Sequence, residues 1–125
     1  MADQAHVAIL MAVYQGREYL PAQLKSLAGQ THADWTLIAG DDGSTDGSAA
    51  LIEAFAAGLN PGQVRVLPGP RQGAAENFRA LLGHVAADAT HVAFCDQDDV
   101  WDEGKLALGI AALPVDRPAL WCGRF

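Results

Sequence analysis

"THVAFCDQDDVW", residues 90–101, decides how the rest of the chain is read. The apolar run Thr90–Cys95 has the length and content of a buried strand. It ends in Asp96, Asp98 and Asp99, three carboxylates within four positions. Like charges this close disfavour one another's ionised form, so a cation, a proton or water has to make them tolerable. In open parallel α/β sheets, ligands bind outside the C-terminal ends of the strands. An acidic cluster in that place is a candidate binding site.

Outward from this strand the chain alternates. His6–Ala12 reads as a first buried strand, and Arg17–Ala28 as a helix with Tyr19, Leu20, Leu24 and Leu27 at helical spacing. Trp35–Ala39 is a second strand. Asp46–Ala57 is a helix ended by Gly58 and the turn Asn60-Pro61-Gly62. Gln63–Leu67 is a third strand, stopped by Pro68-Gly69-Pro70. Ala74–Ala87 is a third helix with Phe78, Leu81, Leu82 and Val85 on one stripe. The quoted strand follows, then a helix over Glu103–Leu113 and the opening of a fifth strand at Ala119–Cys122. This alternation predicts an α/β fold: βαβ units in a mostly parallel sheet with helices on both faces.

With 125 residues, half of them hydrophobic, the chain suffices for one domain with a real core. The formal net charge of −7 and the scatter of the eight basic residues argue against a nucleic-acid partner. No apolar run approaches the roughly 18 residues of a membrane span. Met1–His6 lacks the basic start and apolar stretch of a signal peptide. The expectation is a cytoplasmic protein, at most peripheral to the inner face of the membrane. The two cysteines, Cys95 and Cys122, lie in apolar runs without a CxxC partner, and read as buried reduced thiols.

A second acidic cluster, "DDGSTDGS" at residues 41–48, follows the second strand. Gly43 and Gly47 permit a tight turn, and Ser44, Thr45 or Asp46 can cap the next helix. That structural account leaves the adjacent pair Asp41-Asp42 unexplained. If the first, second and fourth strands lie side by side, both clusters border one cleft. Asp96 and Asp98, two apart, suit Mg²⁺ or Mn²⁺, which take one or two carboxylates together with substrate phosphates and water. The plainer alternative is a solvated acidic turn, with Asp99 or Asp102 capping the following helix. Other candidates are weaker. His6, His32, His84 and His91 share no ligand spacing. Gly69-Pro70-Arg71-Gln72-Gly73 only loosely resembles a phosphate loop. Lys25 and Lys105 read as helix-surface charges, and neither a Gly-x-Ser-x-Gly nor a Cys-His pair supports nucleophilic hydrolysis.

Taken together, "VAILMAVYQGREYLPAQLKSLAGQT", "DWTLIAGDDGSTDGS", "GAAENFRALL" and "FCDQDDVWDEGKL" resemble the inverting nucleotide-sugar glycosyltransferases of family 2, with the GT-A fold. The resemblance runs in order over nearly the whole chain. The wording "FCDQDDVW" with "ENF" before it is most similar to bacterial rhamnosyltransferases of surface-polysaccharide synthesis. The resemblance implies that Ala12, Val13 and Tyr14 line the base and ribose, that Asp42 accepts a hydrogen bond from the pyrimidine N3–H, and that Asp41 supports its turn. It implies that Asn77 belongs to the donor site. Asp96 and Asp98 match a DXD-type motif, near the ribose and at the metal respectively, with Asp98 the direct ligand and Asp99 and Trp101 shaping the site. The implied partners are a dTDP- or UDP-sugar and a carbohydrate or lipid-linked saccharide acceptor; the implied cofactor is Mg²⁺ or Mn²⁺. Two positions depart from the family pattern: its usual Thr-Tyr-Asn reads Val13-Tyr14-Gln15, and a basic residue before the helical Asn is replaced by Glu76. Relatives carry their catalytic base and acceptor region after the fifth strand. Residues 1–125 are therefore expected to be the donor-binding half, with that base beyond residue 125. Two other classes share some of these features. A phosphoacceptor receiver domain is of similar length, but has its acid pair after the first strand and a Lys at the end of the fifth. The other is a non-catalytic nucleotide-binding module.

Overall fold

A computed structural model describes residues 5–114, 116–117 and 119. Strands β1 (Val7–Val13), β2 (Trp35–Asp41), β3 (Val64–Pro68) and β4 (His91–Asp96) alternate with helices α1 (Leu20–Ala28), α2 (Ser48–Ala57), α3 (Ala74–Leu82) and α4 (Lys105–Ala112). The strands pair in parallel in the order β3-β2-β1-β4. The first, second and fourth strands are therefore neighbours. The expected fifth strand lies outside the described residues except for Ala119, and Cys122 lies outside them too.

β1 is central, and its sequence VAILMAV is almost continuously apolar because helices cover both sides of the sheet. Val7, Ile9, Met11 and Val13 face one way and pack with Leu20, Leu24 and Leu27 of α1, Ile52 of α2 and Leu106 of α4. Leu10 faces the other way and packs with Ile38 and with Leu81 of α3. Each fully buried leucine contributes about 1.5–3 kcal/mol of apolar transfer free energy. Cys95 is buried in the first layer, where desolvation pushes its thiol up to about 12.

The ends of several elements differ from the sequence expectation, each for a local reason. α1 begins at Leu20 rather than Arg17, with Pro21 in its first turn. The residues before it fold into a turn in which the N–H groups of Tyr19 and Leu20 both donate to the carbonyl of Gly16. α3 stops at Leu82, before Gly83, although Val85 still packs against the layer around Leu10. β2 and β4 run on to Asp41 and Asp96, because parallel pairing with β1 continues through Val13↔Asp41 and Ala12↔Asp96. The acidic residues thus begin on the strands themselves.

Candidate functional site

At the C-terminal edge of the sheet, four loops are stitched together in strand order, mostly by side chains bonding to backbone. The β2–α2 loop is tied first within itself. Asp41 Oδ1 accepts the N–H of Ser44 at 3.0 Å. Asp46 Oδ1 accepts the N–H and the hydroxyl of Ser48, at 3.0 and 2.6 Å, and its Oδ2 accepts the N–H of Arg17 at 3.1 Å. The Ser48 hydroxyl, aided by the Arg17 and Ser48 amides, holds the Asp46 carboxyl below its usual range despite some desolvation. The N-cap of α2 is Gly47, so among the three capping candidates Asp46 acts, from one residue earlier.

Asp42 reaches in the other direction. Its own N–H donates to Val13 O at 2.8 Å, while its two carboxylate oxygens accept the N–H groups of Arg71 and Gly73. The β3–α3 loop therefore hangs on Asp42. Nearby, Asn77 Nδ2 donates to Gly40 O at 2.8 Å. A Cβ on residue 40 would collide with Asn77 Oδ1, which explains a glycine inside a strand. Asn77 is almost fully buried, and its Oδ1 has no hydrogen-bond partner among the described residues.

The β1–α1 loop lies in the middle. The Gln15 N–H donates to Ser44 Oγ at 2.9 Å, and Gln15 Oε1 accepts the Thr45 N–H at 2.7 Å. These bonds hold Gln15 in the left-handed region, at φ 48°, which Asn adopts more readily. On the other side, the Tyr14 N–H donates to Gln97 Oε1 and Gln97 Nε2 donates to Tyr14 O, both at 2.9 Å. Gln97 thereby joins the β1 loop to the β4 loop.

The β4–α4 loop is anchored at the rear to Ser26 of α1 and to Gln30 just beyond that helix. The Trp101 N–H donates to Ser26 Oγ at 3.1 Å, Gln30 Nε2 donates to Asp102 O at 2.7 Å, and Gln30 Oε1 accepts the Leu106 N–H at 3.1 Å. Lys105 Nζ sits 4.9 Å from the centre of the Trp101 ring. Neither Asp99 nor Asp102 caps α4; its N-cap is Gly104, without a side-chain bond. The plainer account of this acidic turn thus loses its capping role.

These loops enclose an open cleft of about 690 Å³. Ala12, Val13 and Tyr14 form its β1 wall, Asp42 and Gly43 its β2 wall, Arg71, Gly73, Ala74 and Asn77 its β3–α3 wall, and Asp96, Gln97 and Asp98 its β4 wall. Of the residues that the sequence points to for this site, Asp41, Asp99 and Trp101 are not in the lining. Arg71 and Gln97 line it without having been singled out. The signal for Arg71 was a basic residue in a Gly/Pro loop directly after a strand; for Gln97 it was a side-chain amide between two acids.

Among the described residues, no hydrogen bond or ion pair engages the carboxylates of Asp96, Asp98 or Asp99; the ion pairs present lie elsewhere. No group of three or more His, Cys, Asp or Glu side chains among the described residues is arranged to hold a metal. Two hard oxygen ligands open to a cleft fit Mg²⁺ or Mn²⁺, which complete their shell with water and substrate phosphates rather than with an all-protein cage.

Residues 8–125 match glycosyl transferase family 2. The chain is 33% identical over 106 residues to the dTDP-rhamnosyl transferase RfbG of Shigella flexneri, covering 82% of this chain and 36% of that protein. It is 29% identical over 124 residues to WfgD of Escherichia coli, a UDP-Glc:alpha-D-GlcNAc-diphosphoundecaprenol beta-1,3-glucosyltransferase, covering 98% and 47%. The chain thus spans less than half the length of these relatives. Among solved structures, the mannosyltransferase PcManGT of Pyrobaculum calidifontis, in complex with GDP-Man and Mn²⁺, superposes with a TM-score of 0.78 at 20% identity, over 89% of this chain and 33% of that one. TarS 1-349 of S. aureus gives 0.74 at 22%, over 85% and 31%. The chain belongs to glycosyl transferase family 2 and has the GT-A fold.

Proposed function

We propose that this member of glycosyl transferase family 2 supplies the donor-binding part of an inverting, metal-dependent glycosyltransferase. The donor is a dTDP- or UDP-sugar, and the acceptor a carbohydrate or lipid-linked saccharide. The observation that carries the reading is the meeting of both acidic loops in one cleft, where no described residue pairs with the carboxylates of Asp96 and Asp98. The named relatives that act on dTDP-rhamnose and UDP-glucose support the donor class, and the fold neighbour holding GDP-Man with Mn²⁺ supports the pairing of nucleotide sugar and cation. Rhamnose is the favoured sugar and surface-polysaccharide synthesis the favoured setting, on the likeness to RfbG. No helix of the described residues is long and apolar enough to cross a membrane, and a lipid-linked acceptor would be met at the inner membrane face.

In this reading, Ala12, Val13 and Tyr14 pack against the base and ribose. Asp42 accepts from the pyrimidine N3–H; a carboxylate has about four lone-pair sites, so its two backbone bonds leave capacity. Asp41 supports that turn, Asn77 shapes the cleft floor, and Asp96 faces the ribose. Asp98, with Asp96, would hold Mg²⁺ or Mn²⁺. When bound, the ion supplies positive charge that stabilises the departing diphosphate. Arg71, exposed at the rim, offers an additional cation to an anionic ligand. The acceptor hydroxyl is deprotonated by a carboxylate base outside these residues and attacks the anomeric carbon from the face opposite the diphosphate. Calorimetric titration with UDP and with dTDP, each with and without Mn²⁺, tests the reading. Binding of at least one nucleotide that strengthens with Mn²⁺ is expected; no binding of either would overturn it.

A further inference from the structure

We infer that Gln97 is a positioning residue that latches the two sides of the cleft, and that this latch lets a divalent cation and a nucleoside diphosphate strengthen each other's binding. The inference rests on the donor-binding reading above. The backbone pairing of β1 with β4 ends at Ala12↔Asp96. Beyond it, the Gln97 side chain continues the pairing in place of a strand: its amide accepts from Tyr14 N–H and donates to Tyr14 O. The main chain of residues 97–99 is therefore released to turn, yet stays registered to β1 through one side chain. Asp96 and Asp98 flank Gln97, so the same two bonds set both carboxylates relative to the wall that Tyr14 forms.

Gly16 shows that space is reserved for this amide. A Cβ on residue 16 would run into Gln97 Oε1 and Cδ. Gly16 is not at positive φ, so the close approach of Gln97, not backbone conformation, explains the missing side chain. The loop's rear anchors at Ser26 and Gln30 do not involve Gln97. Removing the latch leaves the fold attached at the back and frees the acidic front.

The test is titration of UDP and dTDP, with and without Mn²⁺, on wild type, Gln97→Ala and Gly16→Ala, alongside thermal melts without ligand. Coupled ligands typically alter each other's affinity by about 5–150-fold, so Mn²⁺ is expected to tighten nucleotide binding by at least about tenfold in wild type. In both variants that gain, the ratio of metal-bound to metal-free affinity, should fall to about twofold or less. A merely structural role would instead lower metal-free and metal-bound affinities alike. Gln97→Met keeps the side-chain length without the two hydrogen bonds, and carries the same test should Gln97→Ala not fold. A wild-type gain retained by a folded Gln97 variant overturns the latch and leaves the donor site standing. Nucleotide binding by wild type that Mn²⁺ does not strengthen overturns the latch alone; no binding of either nucleotide overturns the donor site as well.

Discussion

The two acidic loops look alike in sequence and differ in what their carboxylates do. In the β2–α2 loop, Asp41, Asp42 and Asp46 all accept backbone N–H groups, from Ser44, from Arg71 and Gly73, and from Arg17 and Ser48. In the β4–α4 loop, the described residues leave the carboxylates of Asp96, Asp98 and Asp99 without hydrogen bonds, and the loop is held instead by Gln97, Trp101 and the carbonyl of Asp102. The first set of acids builds the rim; the second is left available. Carboxylates satisfied by the fold are structural unless a ligand adds to their bonds. Carboxylates on a cleft wall that the described residues leave without hydrogen bonds are available to a cation.

This contrast predicts different penalties for the same substitution. Asp42→Ala should have the largest effect on stability, about 1–3 kcal/mol, because the charge-assisted bonds that hold the Arg71 and Gly73 N–H groups are lost. Urea unfolding followed by circular dichroism measures it, and a loss near zero would break the contrast. Asp46→Ala should lower Tm less, since only its own turn and the Arg17 contact depend on it. It should also remove part of the acid sensitivity. The folded state depresses the Asp46 pKa, so its stabilising contribution is present above the unfolded value and is lost as pH falls through the lowered folded value. Melts from neutral to acid pH, wild type against variant, should converge at the acid end.

Asp98→Ala should alter stability by no more than about 0.5 kcal/mol, as for an exposed side chain that no described residue engages, while abolishing the gain in nucleotide affinity from Mn²⁺. A destabilisation as large as that of Asp42→Ala would mean that the second loop is also a structural one. The smallest expected signal comes from beneath that loop. Cys95, one residue before Asp96, is buried, and its thiol is pushed up to about 12 by desolvation. Native protein at pH 8 should therefore show almost no alkylation at Cys95 by mass spectrometry, with full reaction in denaturant. An unfolded thiol ionises near about 8.5, so this residue should also make the fold less stable as pH rises above that value. Rapid native labelling would show that the strand under the open acids is itself open.

Much of this arrangement was legible before any coordinates. Apolar runs such as Val7–Val13 and amphipathic stripes such as Leu20, Leu24 and Leu27 mark elements by period alone, because burial on a strand or a helix face imposes it. The acids at the strand ends marked the edge of the sheet where the cleft opens. The order of strands was not legible from periodicity, since hydrophobic pattern does not record which strand lies beside which. Helix starts were misplaced where side chains took over the turn, as at Arg17, whose N–H belongs to Asp46 rather than to α1. Gln97 stands out little in the sequence because it works through the backbone of Tyr14, and bonds to backbone leave no mark on the partner's residue type. Gly16 did carry a mark, but it has meaning only once Gln97 is seen beside it.

The claim that one acidic loop builds the site and the other binds in it is tested most directly by Mn²⁺ itself. Electron paramagnetic resonance of Mn²⁺ titrated into protein with UDP or dTDP present would be recorded for wild type, Asp46→Ala and Asp98→Ala. The account predicts Mn²⁺ uptake by wild type and by folded Asp46→Ala, and none above background by Asp98→Ala. Undiminished uptake by Asp98→Ala, or loss of uptake in a folded Asp46→Ala, would contradict it.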